Sequence, residues 1–199
     1  PSLTIVPGNN ALPVHPVLDR SLTAREAARL QSFPDTHVFE GDRRLQCILA
    51  GNAVPPLLAK AIAGSVRECI LPFTGSRAKL LPQSPSATTT PSRPARPVLV
   101  HKRQDAPGMG FVDLYCGAGG FTLGFRNAGL SAIVSADMND RVKDAHAVNF
   151  PDIPFVHGDI SLPSVQNQIA AIAGQRPFAV VGGPPCQGFS IFGKRRISS

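Results

Sequence analysis

No stretch of eighteen or more apolar residues occurs in this chain, and its opening residues, PSLTIVPGNN, have neither the charged start nor the apolar run of a secretory signal. No membrane association is expected, and a soluble cytoplasmic protein is. The four cysteines, Cys47, Cys69, Cys116 and Cys186, include no C-x-x-C pair. That spacing gives no support to a zinc site or a disulfide framework and leaves four free thiols. His15, His37, His101, His146 and His157 show no metal-ligand spacing either, so no metal is expected and these rings are read as structural or surface groups. A dinucleotide fingerprint of the form G-x-G-x-x-G is also missing, because Thr122 stands where a third glycine would follow Gly117 and Gly119.

What is present is enough for one sizeable core: 199 residues, 43% of them hydrophobic. The net charge of +7 favours an acidic partner, but its distribution is uneven. Six Lys or Arg and one Asp fall between Leu71 and Met109, and Lys194, Arg195 and Arg196 stand together. These two places account for the whole positive excess, so the remainder is not a generally basic nucleic-acid surface.

Composition divides the chain in three. Residues 71–109 are rich in Pro, Ser, Thr and Ala and cannot bury enough apolar area to offset their ordering entropy, so a flexible linker is expected there. Before it, residues 1–70 predict two helices. In SLTAREAARLQSFPD, Thr23 and Glu26 have capping-box spacing, Leu22, Ala27, Leu30 and Phe33 recur near helical spacing, and Pro34 marks a stop. In GNAVPPLLAKAIAGSVRECI, Pro55 and Pro56 suit a first turn and Leu58, Ile62, Val66 and Ile70 form an apolar stripe. Two such helices need a partner surface. Residues 110–199 supply one, with β-rich runs FVDLY, SAIVSAD, PFVHGD and FAVVGG and helices near 121–128, 139–149 and 164–174. This alternation predicts an α/β fold, a parallel sheet covered by helices on both faces, with ligands at the carboxyl ends of its strands.

The chemistry-bearing residues fall at those strand ends. Asp113–Gly120 is a Gly-rich turn that lets a ligand approach the backbone, or simply a tight turn. Asp137 ends the second strand, where an acid can accept from ribose hydroxyls or cap the following helix, and Met138 could lie against an adenine. Asp159, at the end of the third, is placed to accept from an adenine amino group, with Ile160 beside it. In GGPPCQGFS, prolines and glycines flank Cys186 so that its thiol is presented as a candidate nucleophile.

DLYCGAGGFTLGF, GDI and GGPPCQGFS resemble the first, third and fourth motifs of the cytosine-C5 DNA methyltransferases, and LTAREAARLQSFPD and GNAVPP resemble the ninth and tenth. The last two normally close the chain, so here their order is circularly permuted. The resemblance implies an S-adenosylmethionine-dependent methyltransferase fold, with cofactor contacts from Tyr115, Gly117, Gly119, Asp137, Met138, Asp159, Ile160, Pro185, Asn52 and Val54. It implies Cys186 as the catalytic nucleophile, double-stranded DNA with a flipped cytosine as substrate, and a bacterial restriction-modification or DNA-methylation role. Lys194, Arg195 and Arg196 either touch DNA phosphates or form a solvated charge run. No Glu-Asn-Val element, basic Q-x-R-x-R element or target-recognition region is found. The expectation is therefore a fragment or one part of a split enzyme, completed by its continuation or a complementary polypeptide. A noncatalytic subunit and an RNA methyltransferase are the alternatives.

Overall fold

The computed structural model describes residues 12–70, 109–175 and 177–184. The N-terminal segment forms α1 (Ala24–Leu30), α2 (Arg43–Asn52) and α3 (Pro56–Ile70). The remainder alternates as β1 (Gly110–Leu114), α4 (Gly120–Asn127), β2 (Ser131–Asp137), α5 (Asp140–Asn149), β3 (Phe155–His157), α6 (Pro163–Ala173) and β4 (Pro177–Gly182). All four strands are parallel, in the order β3-β2-β1-β4. This is the α/β architecture expected from the alternating pattern, with β1 and β2 central and most heavily buried.

The capping box at α1 forms as its spacing requires: the Glu26 N–H donates to Thr23 Oγ1 at 3.2 Å and the Thr23 N–H donates to Glu26 Oε2 at 2.8 Å. The helix ends earlier than Pro34 suggests, at Leu30, and Ser32 turns the chain at φ 64°. Sequence reading overlooked α2. Its start is signed by Asp42, whose side chain accepts from the Leu45 N–H at 2.8 Å, and its inward face carries Cys47, Leu49 and Ala50.

A second correction concerns α3. The stripe Leu58, Ile62, Val66, Ile70 was expected to face inward, yet Leu58 and Ile62 are exposed while Ala59 and Ala63 are fully buried. The reason lies across the contact, in α4. A Cβ at Gly124 would clash with the Ala59 side chain and sit 2.6 Å from the Pro56 carbonyl oxygen, so the two helices meet backbone to backbone. Only alanines fit that spacing, and the bulkier Leu58 and Ile62 are turned outward. Taken end to end, Arg43–Cys69 is long and apolar enough to cross a membrane. It is not one rod, because Ala53 leaves helical geometry at ψ 142°, and its small residues are packed against protein.

Of three core clusters, two bind the N-terminal and C-terminal segments together. One joins Ala27 of α1, Phe33 just beyond it and Leu49 of α2 to Cys116, Ala118 and Val142. Another joins Ala59 and Ala63 to Phe111, Phe125 and Leu130. The third fills the opposite face of the sheet, between Val112, Val134 and Ala136 and the α6 residues Val165 and Ile169. A reciprocal pair of hydrogen bonds reinforces the first: the Val38 N–H donates to Asn149 Oδ1 at 2.8 Å and Asn149 Nδ2 donates to the Val38 carbonyl at 2.7 Å.

Candidate active site

Because the strands are parallel, their carboxyl ends share one edge of the sheet, the edge at which such sheets bind their ligands. At the end of β1 the chain enters three left-handed positions, Tyr115 at φ 55°, Gly117 at φ 50° and Gly119 at φ 77°. A tyrosine in that region is uncommon and costs backbone strain, and here it leaves the Tyr115 side chain exposed at the turn.

The three glycines of the turn serve different ends. A Cβ at Gly119 would strike the Phe150 ring, and one at Gly120 would strike the Val54 backbone. A Cβ at Gly117 would meet only the Tyr115 carbonyl oxygen, 4.0 Å away. Gly119 and Gly120 thus close the turn against the protein, whereas Gly117 borders open space through which a ligand can reach the main chain.

Side chains from three directions hold this turn. Asp137 at the end of β2 accepts from the Gly117 N–H through Oδ2 at 2.9 Å and from the Asn139 N–H through Oδ1 at 3.0 Å. Helix α5 is capped separately by Asn139, whose side chain accepts from the Arg141 N–H. Asp113, fully buried in β1, accepts from the Thr122 N–H at 3.0 Å and the Thr122 hydroxyl at 2.6 Å. Burial pushes the Asp113 carboxyl up to about 7 against the opposing pull of the Thr122 bonds, and the charge of Asp137 adds to the rise. The third tie comes from the N-terminal segment, where His37 Nε2 lies 2.8 Å from the Ala118 carbonyl oxygen.

Met138, 62% exposed, follows Asp137, and its carbonyl is held by His157 Nε2 at 2.9 Å. In the β2–β3 register Asp137 pairs with His157, and the Gly158 N–H donates to the Asp137 carbonyl, so Asp159 and Ile160 come next along the same edge. Strand β3 ends at His157, two residues before Asp159, which instead begins the turn into α6. The Ser161 N–H bond holds the Asp159 carboxyl below the usual carboxylate range, leaving an ionised acceptor at the rim. Asn52, exposed at the end of α2, and Val54, packed on Gly120, bring the N-terminal segment to the start of α4. The structure therefore gathers Tyr115, Gly117, Asp137, Met138, Asp159 and Ile160 around one strand edge. Pro185, Cys186, Lys194, Arg195 and Arg196 lie outside the described residues.

Cys116, a second thiol at the end of a strand, lies in surroundings that oppose its ionisation. It is buried, and burial together with the charges of Asp113 and Asp137 pushes its thiol well above its ordinary value. A nucleophile must be a thiolate, and this one is kept protonated.

The family described as C-5 cytosine-specific DNA methylase matches residues 3–68 and 109–198, passing over the Pro- and Ser-rich stretch between them. The chain belongs to this family. Three relatives show the same kinship. Type II methyltransferase M1.HphI of Haemophilus parahaemolyticus is 40% identical over 84 residues, 42% of this chain and 23% of the relative. Type II methyltransferase M.AquIA of Picosynechococcus is 39% identical over 88 residues, 42% of this chain and 35% of the relative. Type II methyltransferase M.AplI of Arthrospira platensis is 65% identical over 48 residues, 24% of this chain and 14% of the relative. The chain thus spans between 14 and 35% of the length of these relatives.

Cytosine-C5 DNA methylases use S-adenosylmethionine, and the residues at this edge suit such a group. Gly117 opens the backbone to it, Tyr115 and Met138 offer exposed flat or flexible apolar surface, and Asp137 and Asp159 offer oxygen acceptors for hydroxyl and amino groups.

Proposed function

We propose that this chain carries the cofactor-binding and nucleophile-bearing part of a DNA cytosine-5 methyltransferase, with the family's motif order circularly permuted. The observation that carries the reading is the course of β4. Gly182 pairs with Leu114 at the end of β1, and Pro184 stands two residues ahead of Cys186. The segment leading to the cysteine thus leaves the sheet beside the Gly-rich turn. Residues 1–70 act as a helical part docked on the catalytic core, residues 71–109 as the linker, and residues 110–199 as the core. The docking observed in α1 to α3 supports the permuted arrangement, since the end of α3 and the start of β1 belong to one packed unit and about forty residues easily span between them.

In this reading S-adenosylmethionine supplies the methyl group when bound. The chain's own residues do the rest. Asp137 and Asp159 orient the nucleoside, Tyr115, Met138 and Ile160 lie against it, and Asn52, Val54, Gly119 and Pro185 border it. The cytosine leaves the duplex so that its ring faces the thiolate of Cys186. The thiolate forms a bond to C6, and the electron pair of the C5–C6 double bond moves to C5, which becomes nucleophilic. Once C5 is methylated, loss of its proton returns an electron pair to the ring and expels the Cys186 thiolate. Lys194, Arg195 and Arg196 contact phosphates of the DNA.

The setting we assign is cytoplasmic and bacterial, in restriction-modification or DNA methylation, in keeping with the type II relatives. Since the chain spans a minor part of those relatives, base grip and sequence recognition are assigned to further polypeptide, a continuation or a complementary chain.

Duplex DNA containing 5-fluorocytosine blocks the final proton loss and traps the adduct. With S-adenosylmethionine and the continuation of the gene or a neighbouring reading frame, mass spectrometry should find DNA on Cys186. An adduct on Cys116, or robust sequence-specific methylation by these 199 residues alone, would overturn the corresponding part of the proposal. RNA assayed in parallel should remain unmodified. At the cofactor, Asp137→Ala should weaken S-adenosylhomocysteine binding about tenfold, the loss of a charged hydrogen bond of about 1.5 kcal/mol. Unchanged calorimetric affinity in a folded variant would remove the ribose role.

A further inference from the structure

We infer that His37 is a positioning residue for the cofactor turn, fixing the Ala118 carbonyl from the N-terminal segment and thereby setting the backbone shape that receives S-adenosylmethionine. The inference rests on the reading of that turn given above. Four observations converge on it.

The His37 side chain is buried, and its Nε2 is 2.8 Å from the Ala118 oxygen across a sequence separation of 81 residues. A carbonyl only accepts, so Nε2 carries the proton and donates. Desolvation pushes the ring down to about 4, with Arg25 acting in the same direction against the Ala118 bond, and the imidazole is neutral at physiological pH. A neutral ring can occupy this site without an unpaired buried charge.

The ring is also held in one orientation. Phe33 and Phe39 lie 4.7 and 5.2 Å from it, centroid to centroid, and Phe150 lies at 5.9 Å. Phe150 is the side chain that fills the space beside Gly119. One aromatic cluster therefore sets both the donor and the wall of the turn.

The bonded carbonyl sits between the two glycines of opposite character, Gly117 on open space and Gly119 against protein. The other side-chain tie to the turn comes from the sheet, through Asp137, while Asp113 holds the start of α4 at Thr122. Among the described residues, the His37 bond is the hydrogen bond that residues 12–70 make to the turn at 115–120. The Ala118–Gly119 peptide unit is held at its N–H by the Cys116 carbonyl oxygen, at 2.7 Å, and at its own oxygen by His37, while Asp137 holds the preceding Cys116–Gly117 unit. Without His37 that unit keeps the Cys116 bond alone, and the direction of the Ala118 carbonyl, next to the left-handed Gly117, is less firmly set.

Packing and hydrogen bonding can be separated by two substitutions. H37F keeps an aromatic ring and removes the donor. H37Q removes the ring and keeps an N–H that can reach a carbonyl. Calorimetric titration of the full chain with S-adenosylhomocysteine, well below each variant's unfolding midpoint, should show affinity about fivefold weaker for H37F, the effect of one hydrogen bond. H37Q should recover most of that loss despite its poorer packing. The reverse order, normal binding by H37F and weak binding by H37Q, would make His37 a packing residue only and overturn the inference. If the folded wild-type chain does not bind S-adenosylhomocysteine, the cofactor reading itself falls and this inference with it. If wild type and H37F bind equally, only the inference falls.

Nitrogen-15 spectra of the wild-type histidines give a check that needs no variant. His37 should be a neutral Nε2–H tautomer whose proton exchanges slowly and whose resonance shifts when S-adenosylhomocysteine is added. A rapidly exchanging or unresponsive Nε2–H would count decisively against the role.

Discussion

Three buried titratable groups make stability depend on pH in opposite directions. His37 and His146 are each pushed down to about 4 by burial, so between about pH 4 and 6.5 the unfolded chain binds protons that the folded chain does not. Their contribution is present above pH 6.5 and lost as pH falls. Asp113 behaves the other way: raised to about 7, it is protonated in the folded chain where the unfolded carboxyl is ionised, and its contribution is lost as pH rises from about 4 to 7. Each shift corresponds to a few kcal/mol at most, at about 1.4 kcal/mol per unit. Below pH 6.5 two histidines outweigh one carboxyl, and between 6.5 and 7 only Asp113 still titrates. Urea unfolding from pH 4.5 to 8 should therefore show maximum stability near pH 6.5, with a shallow decline above it. Asp113→Asn, which cannot ionise, should abolish that decline, and an unchanged alkaline limb would exclude Asp113 as its source. Glu26, Asp35 and Asp159 are held below the ordinary carboxylate range and titrate on the acid side of this window.

At the scale of elements, the contact between α3 and α4 is set by absence of side chain. Gly124→Ala introduces a Cβ that meets the Ala59 side chain and, at 2.6 Å, the Pro56 carbonyl oxygen. Backbone cannot yield as a flexible side chain does, so a loss of about 1 to 3 kcal/mol is expected by thermal or chemical unfolding. Gly64, on the same helix α3, has nothing within 4 Å of its Cβ position. Gly64→Ala should instead stabilise by about 0.5 to 1 kcal/mol, through helix propensity and reduced unfolded-state freedom. Equal effects at the two positions would mean that α3 does not approach α4 as described. The outward Leu58 and Ile62 follow from the same constraint, and sequence periodicity could not reveal it. A stripe of large apolar residues identifies an amphipathic helix, but which face turns inward depends on the room its neighbour leaves. The start of α2 was legible in Asp42 followed by Leu45, Cys47 and Leu49, a pattern that the short spacing between two stronger helices obscured.

Across the whole molecule, the two matched segments form one cooperative unit rather than a core and an appendage. Phe111 and Phe125 are covered by Ala59 and Ala63, and Cys116 and Ala118 lie in the same cluster as Ala27 and Leu49. Introducing a protease site between residues 71 and 108 and cleaving it should leave the two pieces associated in size-exclusion chromatography. Their unfolding should remain a single transition at micromolar concentration. Residues 109–199 expressed alone should expose these apolar faces and aggregate. Separation of the cleaved pieces into independently folded, monodisperse species would contradict the shared core.

Much of this protein was determined locally and could be read from the chain. Alternating β-rich and helical runs specify a parallel α/β sheet because each pattern buries only one way. The capping box at Thr23 and Glu26 acts within a single turn, and the Gly-rich turn, Asp137 and Asp159 follow their strands at short range. The family motifs could be recognised for the same reason, since each is a compact local arrangement. Tertiary structure alone decided the long-range relations. It separated Gly117, on open space, from Gly119 and Gly120, against Phe150 and Val54. It buried Cys116 near Asp113 and Asp137, which pushes its thiol above the ordinary value. It brought His37 to Ala118 across 81 residues. Such outcomes depend on which distant atoms fill the neighbouring space and exclude water, and those atoms become neighbours only when the sheet and its helices close together.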